Sequence, residues 1–220
     1  MHNYFGSAFI LAGGKSERMP FDKQKITIGG KPIAVFIADI LSDFFTDIYI
    51  ISNTKAVYHN HSYRVIPDKI DGCGPLGGLY TALCHTASEY VYITGCDMPF
   101  VNGKYIHYMK EQLNNAAIPV DGILTTTNGL AEPLNAFYHK RLKDTVRSIL
   151  AGGGRRMANL YKEKEMIYVP EKILKEFDPE YSMFFNLNTM EDYETLNSII
   201  QKSQYGCSET ELDHSRLLYR

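Results

Sequence analysis

Short apolar runs of strand length alternate along the chain with stretches whose apolar residues recur at helical spacing. Ser7–Leu11 is apolar and closes on Ala12-Gly13-Gly14, which predicts a buried strand entering a tight turn. Ile33, Phe36, Ile37, Ile40 and Leu41 follow Pro32 at helix spacing, so 32–41 is expected to be a helix with proline in its first turn. Asp47–Ser52, Tyr63–Ile66 and Glu89–Thr94 read as further strands, the last stopped at Gly95. A loop over 72–78 leads into a helix over Pro75–Thr86, with Leu76, Leu79, Tyr80 and Leu83 on one face. Then come a helix over Asn102–Leu113 and two strands, Gly122–Thr127 and Ala136–Tyr138, around a polar turn at Asn128-Gly129. A helix over Lys140–Leu150 is broken by Gly152-Gly153-Gly154. A helix near Arg156–Glu163, a strand at Met166–Val169 and a helix over Glu191–Lys202 complete the pattern.

Strands alternating with helices imply a three-layer α/β fold around a mostly parallel sheet. Crossovers should be right-handed. Ligands in such folds bind beyond the C-terminal ends of the strands. Residues 203–220 lose apolar periodicity and read as a polar tail.

Composition narrows the function classes. The chain has 220 residues, which suits one domain of generous size. Its net charge of −2 argues against a nucleic-acid binder. No apolar run is long enough to span a bilayer, and the N-terminus lacks a basic region followed by an apolar one. A soluble cytoplasmic protein is expected, away from membranes. Cys73, Cys84, Cys96 and Cys207 show no C-x-x-C spacing, which fits reduced thiols and no zinc site.

Three loops at predicted strand ends carry candidate chemistry: 12–25, 67–78 and 95–99. In the first, adjacent Gly13 and Gly14 uncover backbone amides that can point at an anion. Arg18 and Lys23 add positive charge suited to a triphosphate. The loop is not a Walker A motif, because the earlier glycine that motif needs falls at Phe9. The plainer alternative is a strand-to-helix turn with a solvated basic patch.

The second loop, Gly72-Cys73-Gly74-Pro75-Leu76-Gly77, satisfies G-x-G-x-x-G literally and raises an NAD-dependent oxidoreductase as a rival. The polar stretch Pro67–Asp71 stands where that fingerprint needs a tight turn. A different use fits better: Pro75 starts a helix whose N-terminus Gly74, Gly77 and Gly78 let approach a base or ribose. Asp68 could accept hydrogen bonds from a guanine edge or ribose, or simply serve as a turn residue. In the third loop, Asp97 stands at the mouth of a buried strand before Met98-Pro99. Such a carboxylate suits Mg²⁺, which takes one or two carboxylates together with waters and phosphates. Its plainer use would be to cap the next helix.

These residues together resemble the molybdenum cofactor guanylyltransferases of MobA type. The first motif spans Leu11-Ala12-Gly13-Gly14 with Ser16, Arg18-Met19 and Asp22-Lys23. The others are Gly74–Gly78, Cys96–Phe100, Glu132-Pro133-Leu134 and Phe184–Thr189. They run in order from about residue 8 to 197. The resemblance implies a Rossmann-like nucleotidyltransferase domain over 1–202 that joins GMP from GTP to molybdopterin and releases pyrophosphate. It implies that Leu11, Ala12, Gly13 and Lys23 contact GTP and that Asn53 and Asp68 contribute to the nucleotide site, to which the loop readings above add Gly14, Gly74, Pro75 and Gly77. It makes Asp97 the Mg²⁺ ligand and gives Asn186 and Asn188 to the pterin, their plainer use being a turn before the last helix with Thr189 as its N-cap; Asp97, Arg18 and Lys23 are the expected catalytic residues. Gly13-Gly14 with Gly74-Pro75-Leu76 looks like the guanylyl rather than the cytidylyl version. Pro20 departs from the glycine usual after Arg-Met and removes one backbone donor. A monomer or weak homo-oligomer is expected. The remaining rivals are a cytidylyl- or sugar-phosphate nucleotidyltransferase and a non-catalytic nucleotide-binding module.

Overall fold

A computed structural model describes residues 4–13, 23–161 and 164–205. The chain opens with β1 (Ser7–Leu11), then a small hairpin of β2 (Thr27–Ile28) and β3 (Lys31–Pro32). It continues through β4 (Asp47–Ile51), β5 (Arg64–Ile66), β6 (Tyr90–Gly95), β7 (Gly122–Thr127), β8 (Leu130–His139) and β9 (Met166–Pro170). Apart from the small hairpin, these strands form one seven-stranded sheet in the order β5-β4-β1-β6-β8-β7-β9. Only β8 runs against its neighbours, so the sheet is mostly parallel.

Helices cover both faces, as the alternation requires. On one face α1 (Ile33–Leu41), α3 (Gly103–Asn114), α6 (Glu171–Phe177) and α7 (Met190–Tyr205) bury Ile33, Ile37, Tyr105, Met109, Leu174 and Leu196. On the other, α2 (Gly74–His85), α4 (Lys143–Ala151) and the single turn α5 (Ala158–Tyr161) bury Leu76, Leu79, Val146 and Leu160. Central β1 carries Phe9 and Ile10 at 0% exposure. Each such side chain contributes roughly 1.5–3 kcal/mol of burial free energy.

Register aligns the strand ends that matter. Leu11 lies beside Ile51 on one side and Gly95 on the other. The ends of β1, β4 and β6 are therefore level, and the segments that leave them emerge on one edge of the sheet.

The β2–β3 hairpin was not expected, and Pro32 ends β3 just before α1 instead of lying in its first turn. Four further elements differ from the sequence expectation. The strand expected at Ala136–Tyr138 extends from Leu130 to His139. Asn128 (φ 50°) and Gly129 (φ 74°) form the left-handed pair of a tight hairpin turn before it. Helix α6 was not anticipated, since its seven residues span under two turns. The helix expected over 156–163 is ordered only as 158–161, with 162–163 outside the described residues. Helix α7 runs past Lys202 to Tyr205, while 206–220 lie outside the described residues.

Candidate active site

The segment after β1 is fastened on both sides. The Ala12 N–H donates to the Ile51 carbonyl at 2.9 Å, and the Cys96 N–H donates to the Leu11 carbonyl at 3.0 Å. Gly13 follows, and the missing side chain matters there. A Cβ on Gly13 would stand 3.1 Å from Asp68 Oδ2. The bare backbone thus admits the Asp68 carboxylate against the bend.

Lys23 is placed by its neighbour. Gln24 is buried, and its Oε1 accepts from the Ser52 hydroxyl at 2.5 Å and the Tyr58 hydroxyl at 3.4 Å. This anchors the 3-10 turn Lys23–Lys25 below the end of β4. The Lys23 ammonium then donates to Asp97 Oδ2 at 3.1 Å and to Asn188 Oδ1 at 2.9 Å. Asp97 sits in the turn after β6, where the Met98 N–H bonds the Gly95 carbonyl at 3.1 Å. A Cβ at Gly95 would come within 2.6 Å of Asp97 Oδ1, so glycine leaves room for the carboxylate to fold back over the strand end. The Asp97 carbonyl accepts from the Leu187 N–H at 2.8 Å, which ties the 186–188 segment to the same turn.

Asn53 acts at one remove from the site. Its Oδ1 accepts from the Asp68 N–H at 3.0 Å and its Nδ2 donates to Asp71 Oδ1 at 2.6 Å. Burial raises the Asp68 carboxyl above the usual carboxylate range; the Thr81 hydrogen bond opposes this and the nearby Asp71 charge adds to it. At the start of α2, Pro75 occupies the first turn and no side chain caps the helix. Its amides are left for a ligand.

These groups line one cavity of about 240 Å³. Its walls include Leu11, Ala12, Gly13, Lys23, Asp68, Gly74, Pro75 and Asp97, all expected from sequence. Gln24 and Ile51 line it too and were not singled out; Gly78, Cys96 and Leu134, which the motifs include, line it as well, with Gly95 beside them. Leu134, of the Glu132-Pro133-Leu134 motif, reaches the cavity from β8. Gly77 does not line the cavity. A Cβ there would stand 2.7 Å from Cys73 Cβ and 3.2 Å from the Ile70 carbonyl, so it serves close packing at the start of α2. Asn53 lies behind Asp68, and Asn186 is exposed, with its amide donating to the Phe184 carbonyl at 3.0 Å. Gly14, Arg18 and Pro20 fall outside the described residues. The helix-cap alternative for Asp97 is excluded, because Asn102 Oδ1 caps α3 through the Tyr105 N–H at 3.0 Å.

A second, larger cavity of about 480 Å³ lies among Phe100, Tyr181, Phe184, Phe185, Glu171 and Glu180. It is mostly apolar, and no Lys or Arg is among its described lining residues. A polyanion is therefore better matched by the smaller cavity with Lys23.

A parallel sheet with a glycine bend, an ammonium and a carboxylate converging beyond its strand ends defines a nucleotidyltransferase. The comparisons agree. The model of the MobA-like NTP transferase domain family matches residues 8–166. The chain is 38% identical over 203 residues to a probable molybdenum cofactor guanylyltransferase of Peptoclostridium acidaminophilum, covering 91% of this chain and 92% of that one. It is also 38% identical over 190 residues to a molybdenum cofactor guanylyltransferase of Syntrophotalea carbinolica, covering 86% and 90%. The crystal structure of molybdopterin-guanine dinucleotide biosynthesis protein A from Archaeoglobus fulgidus shares the fold, with TM-score 0.77 and 23% identity over 89% of this chain and 99% of that one. The chain belongs to the MobA-like NTP transferase family and is an enzyme of that class. No helix among the described residues is long and apolar enough to cross a membrane.

Proposed function

We propose that this enzyme transfers GMP from GTP to molybdopterin, forming the guanine dinucleotide cofactor and releasing pyrophosphate. One observation carries the reading: Gly13, Lys23, Asp68 and Asp97 face a single cavity at adjacent strand ends. The names of the relatives at 38% identity support the choice of substrates. The nucleoside end fits between Asp68 and the start of α2, where a carboxylate can accept from a guanine edge. The triphosphate then runs past the Gly13 bend toward Lys23 and Asp97.

An oxygen of the acceptor's terminal phosphate attacks the α-phosphorus of GTP in line. The bond from α-phosphorus to the bridging oxygen breaks, and pyrophosphate leaves with the electron pair. Lys23 offsets charge on the transferring group, and Arg18 is assigned the same role from sequence. No protein nucleophile is needed, so catalysis is positioning and electrostatics. The Asp97 donor set fits Mg²⁺. Oδ2 is held by Lys23, and no hydrogen bond among the described residues reaches Oδ1. That leaves one hard oxygen of a cavity-lining carboxylate without a protein donor among the described residues. When bound there, Mg²⁺ supplies charge neutralisation between the two phosphate chains. Asn188, beside Lys23, and Asn186 are assigned to the acceptor.

The test is pyrophosphate release with Mg²⁺ and molybdopterin, with GTP and CTP run in parallel. The proposal expects release with GTP that depends on the acceptor and little with CTP. A preference for CTP, or binding of GTP without turnover, would replace it with the cytidylyl or the non-catalytic reading.

A further inference from the structure

We infer that Asn135 is a positioning residue for the acceptor side of the site. It lies in the middle of β8 yet is fully buried and has a left-handed backbone, with φ 53°. The local register explains the conformation. Ile123 pairs with Phe137 but Thr125 pairs with Glu132, so β8 carries extra residues between the two pairs. This bulge sends Leu134 to the nucleotide cavity on one face of the sheet and Asn135 into the core on the other.

The Asn135 amide joins two segments distant in sequence. Its Oδ1 accepts from the Thr94 hydroxyl at 2.7 Å and from the Tyr92 hydroxyl at 3.1 Å, both on β6. Its Nδ2 donates to the Met183 carbonyl at 2.5 Å. The Met183 N–H is held in turn by Asp178 Oδ2 at 2.8 Å. The Met183 residue is thus gripped at both ends of its backbone, one grip coming from Asn135. Met183 belongs to the 3-10 turn Ser182–Phe184, which delivers Asn186, Leu187 and Asn188 to the Asp97 turn and Lys23.

The two segments differ in how else they are held. Strand β6 is laddered on both sides, by β1 and β8, and keeps its place without Asn135. The 182–189 segment lies in no strand and is tied to the rest of the fold at fewer points: the Asn135 and Asp178 side chains at Met183, the Leu187 N–H on the Asp97 carbonyl, and the Asn188 side chain on Lys23. Losing the amide should therefore move the acceptor side and spare the GTP side. This inference rests on the assignment of Asn186 and Asn188 to the acceptor.

The experiment is steady-state kinetics of Asn135→Gly and Thr94→Val with GTP, Mg²⁺ and molybdopterin. Glycine tolerates the left-handed backbone and removes the whole side chain, amide included. The expected result for Asn135→Gly is an acceptor KM raised about tenfold and a kcat lowered about tenfold, with the GTP KM within about twofold. Thr94→Val, which keeps its volume, should move the same parameters in the same direction by about threefold. A mere loss of folded enzyme lowers kcat and leaves both KM values alone. If Asn135→Gly does not fold, Thr94→Val decides. An acceptor KM unchanged in the folded variants, or a GTP KM rising in step with it, overturns the inference while leaving the activity intact. A wild-type enzyme inert with GTP and molybdopterin overturns both.

Discussion

Asp97 and Asp68 are carboxylates at strand ends of the same sheet, and their surroundings set them to different work. Asp97 lines the cavity and is paired with an ammonium at 3.1 Å through one of its two oxygens. Asp97→Ala is expected to lower kcat with GTP by at least about a hundredfold. Its circular dichroism should match wild type, because the lost ion pair is partly exposed and contributes little to stability. Near wild-type turnover would remove Asp97 from the metal role. Asp68 instead carries a cost. Its carboxyl is raised by burial, so at neutral pH the folded state holds a charge that the unfolded chain solvates better. That penalty fades as pH falls through the raised folded value and is gone below the unfolded value of about 3.9. Asp68→Asn should therefore raise the melting temperature at neutral pH, and the gain should vanish in acid. The same variant should weaken GTP binding by about tenfold or more, since a charged acceptor is lost; calorimetric titration reads this.

At the level of elements, close approach decides what each glycine does. Gly77→Ala sets a Cβ 2.7 Å from Cys73 Cβ at the start of α2. Overpacking of this kind costs about 1–3 kcal/mol, only partly offset by the better helix propensity of alanine. Urea unfolding should show it, with the GTP KM changed less than the stability. The pattern of apolar residues revealed most strands and helices, because each buries a face with a regular period. It failed where local rules are overridden from afar. Pro133, Glu132 and Asn135 interrupt the alternation of β8, since the bulge there serves the cavity and the Met183 turn rather than the ladder. Helix α6 is too short to display a period. The start of α7 was legible: Thr189 Oγ1 accepts from the Asp192 N–H at 3.1 Å, and Asp192 Oδ2 returns to the Thr189 N–H at 2.8 Å.

On the scale of the whole molecule, the site is made by topology. Residues 11–13, 68, 74–75 and 97 meet because four parallel strands, β5, β4, β1 and β6, end level and their crossovers return to one edge. Motifs at strand ends expose this logic in the sequence, which is why most cavity residues were visible there. Asn135 was not, because its partners lie on β6 and in the 182–184 turn. The rival nucleotide readings separate by ligand-induced stabilisation. With Mg²⁺, GTP at about a hundred times its Kd should stabilise the fold by about 2.7 kcal/mol, with CTP well below it and NAD without effect. Thermal unfolding across that panel checks the order. The most direct measurement is a crystal structure with a non-hydrolysable GTP analogue and Mg²⁺. The account predicts triphosphate density running from the Gly13 bend to a metal on Asp97, with guanine beside Asp68. Nucleotide density in the apolar cavity around Phe184 and Phe185, or a metal away from Asp97, would contradict it.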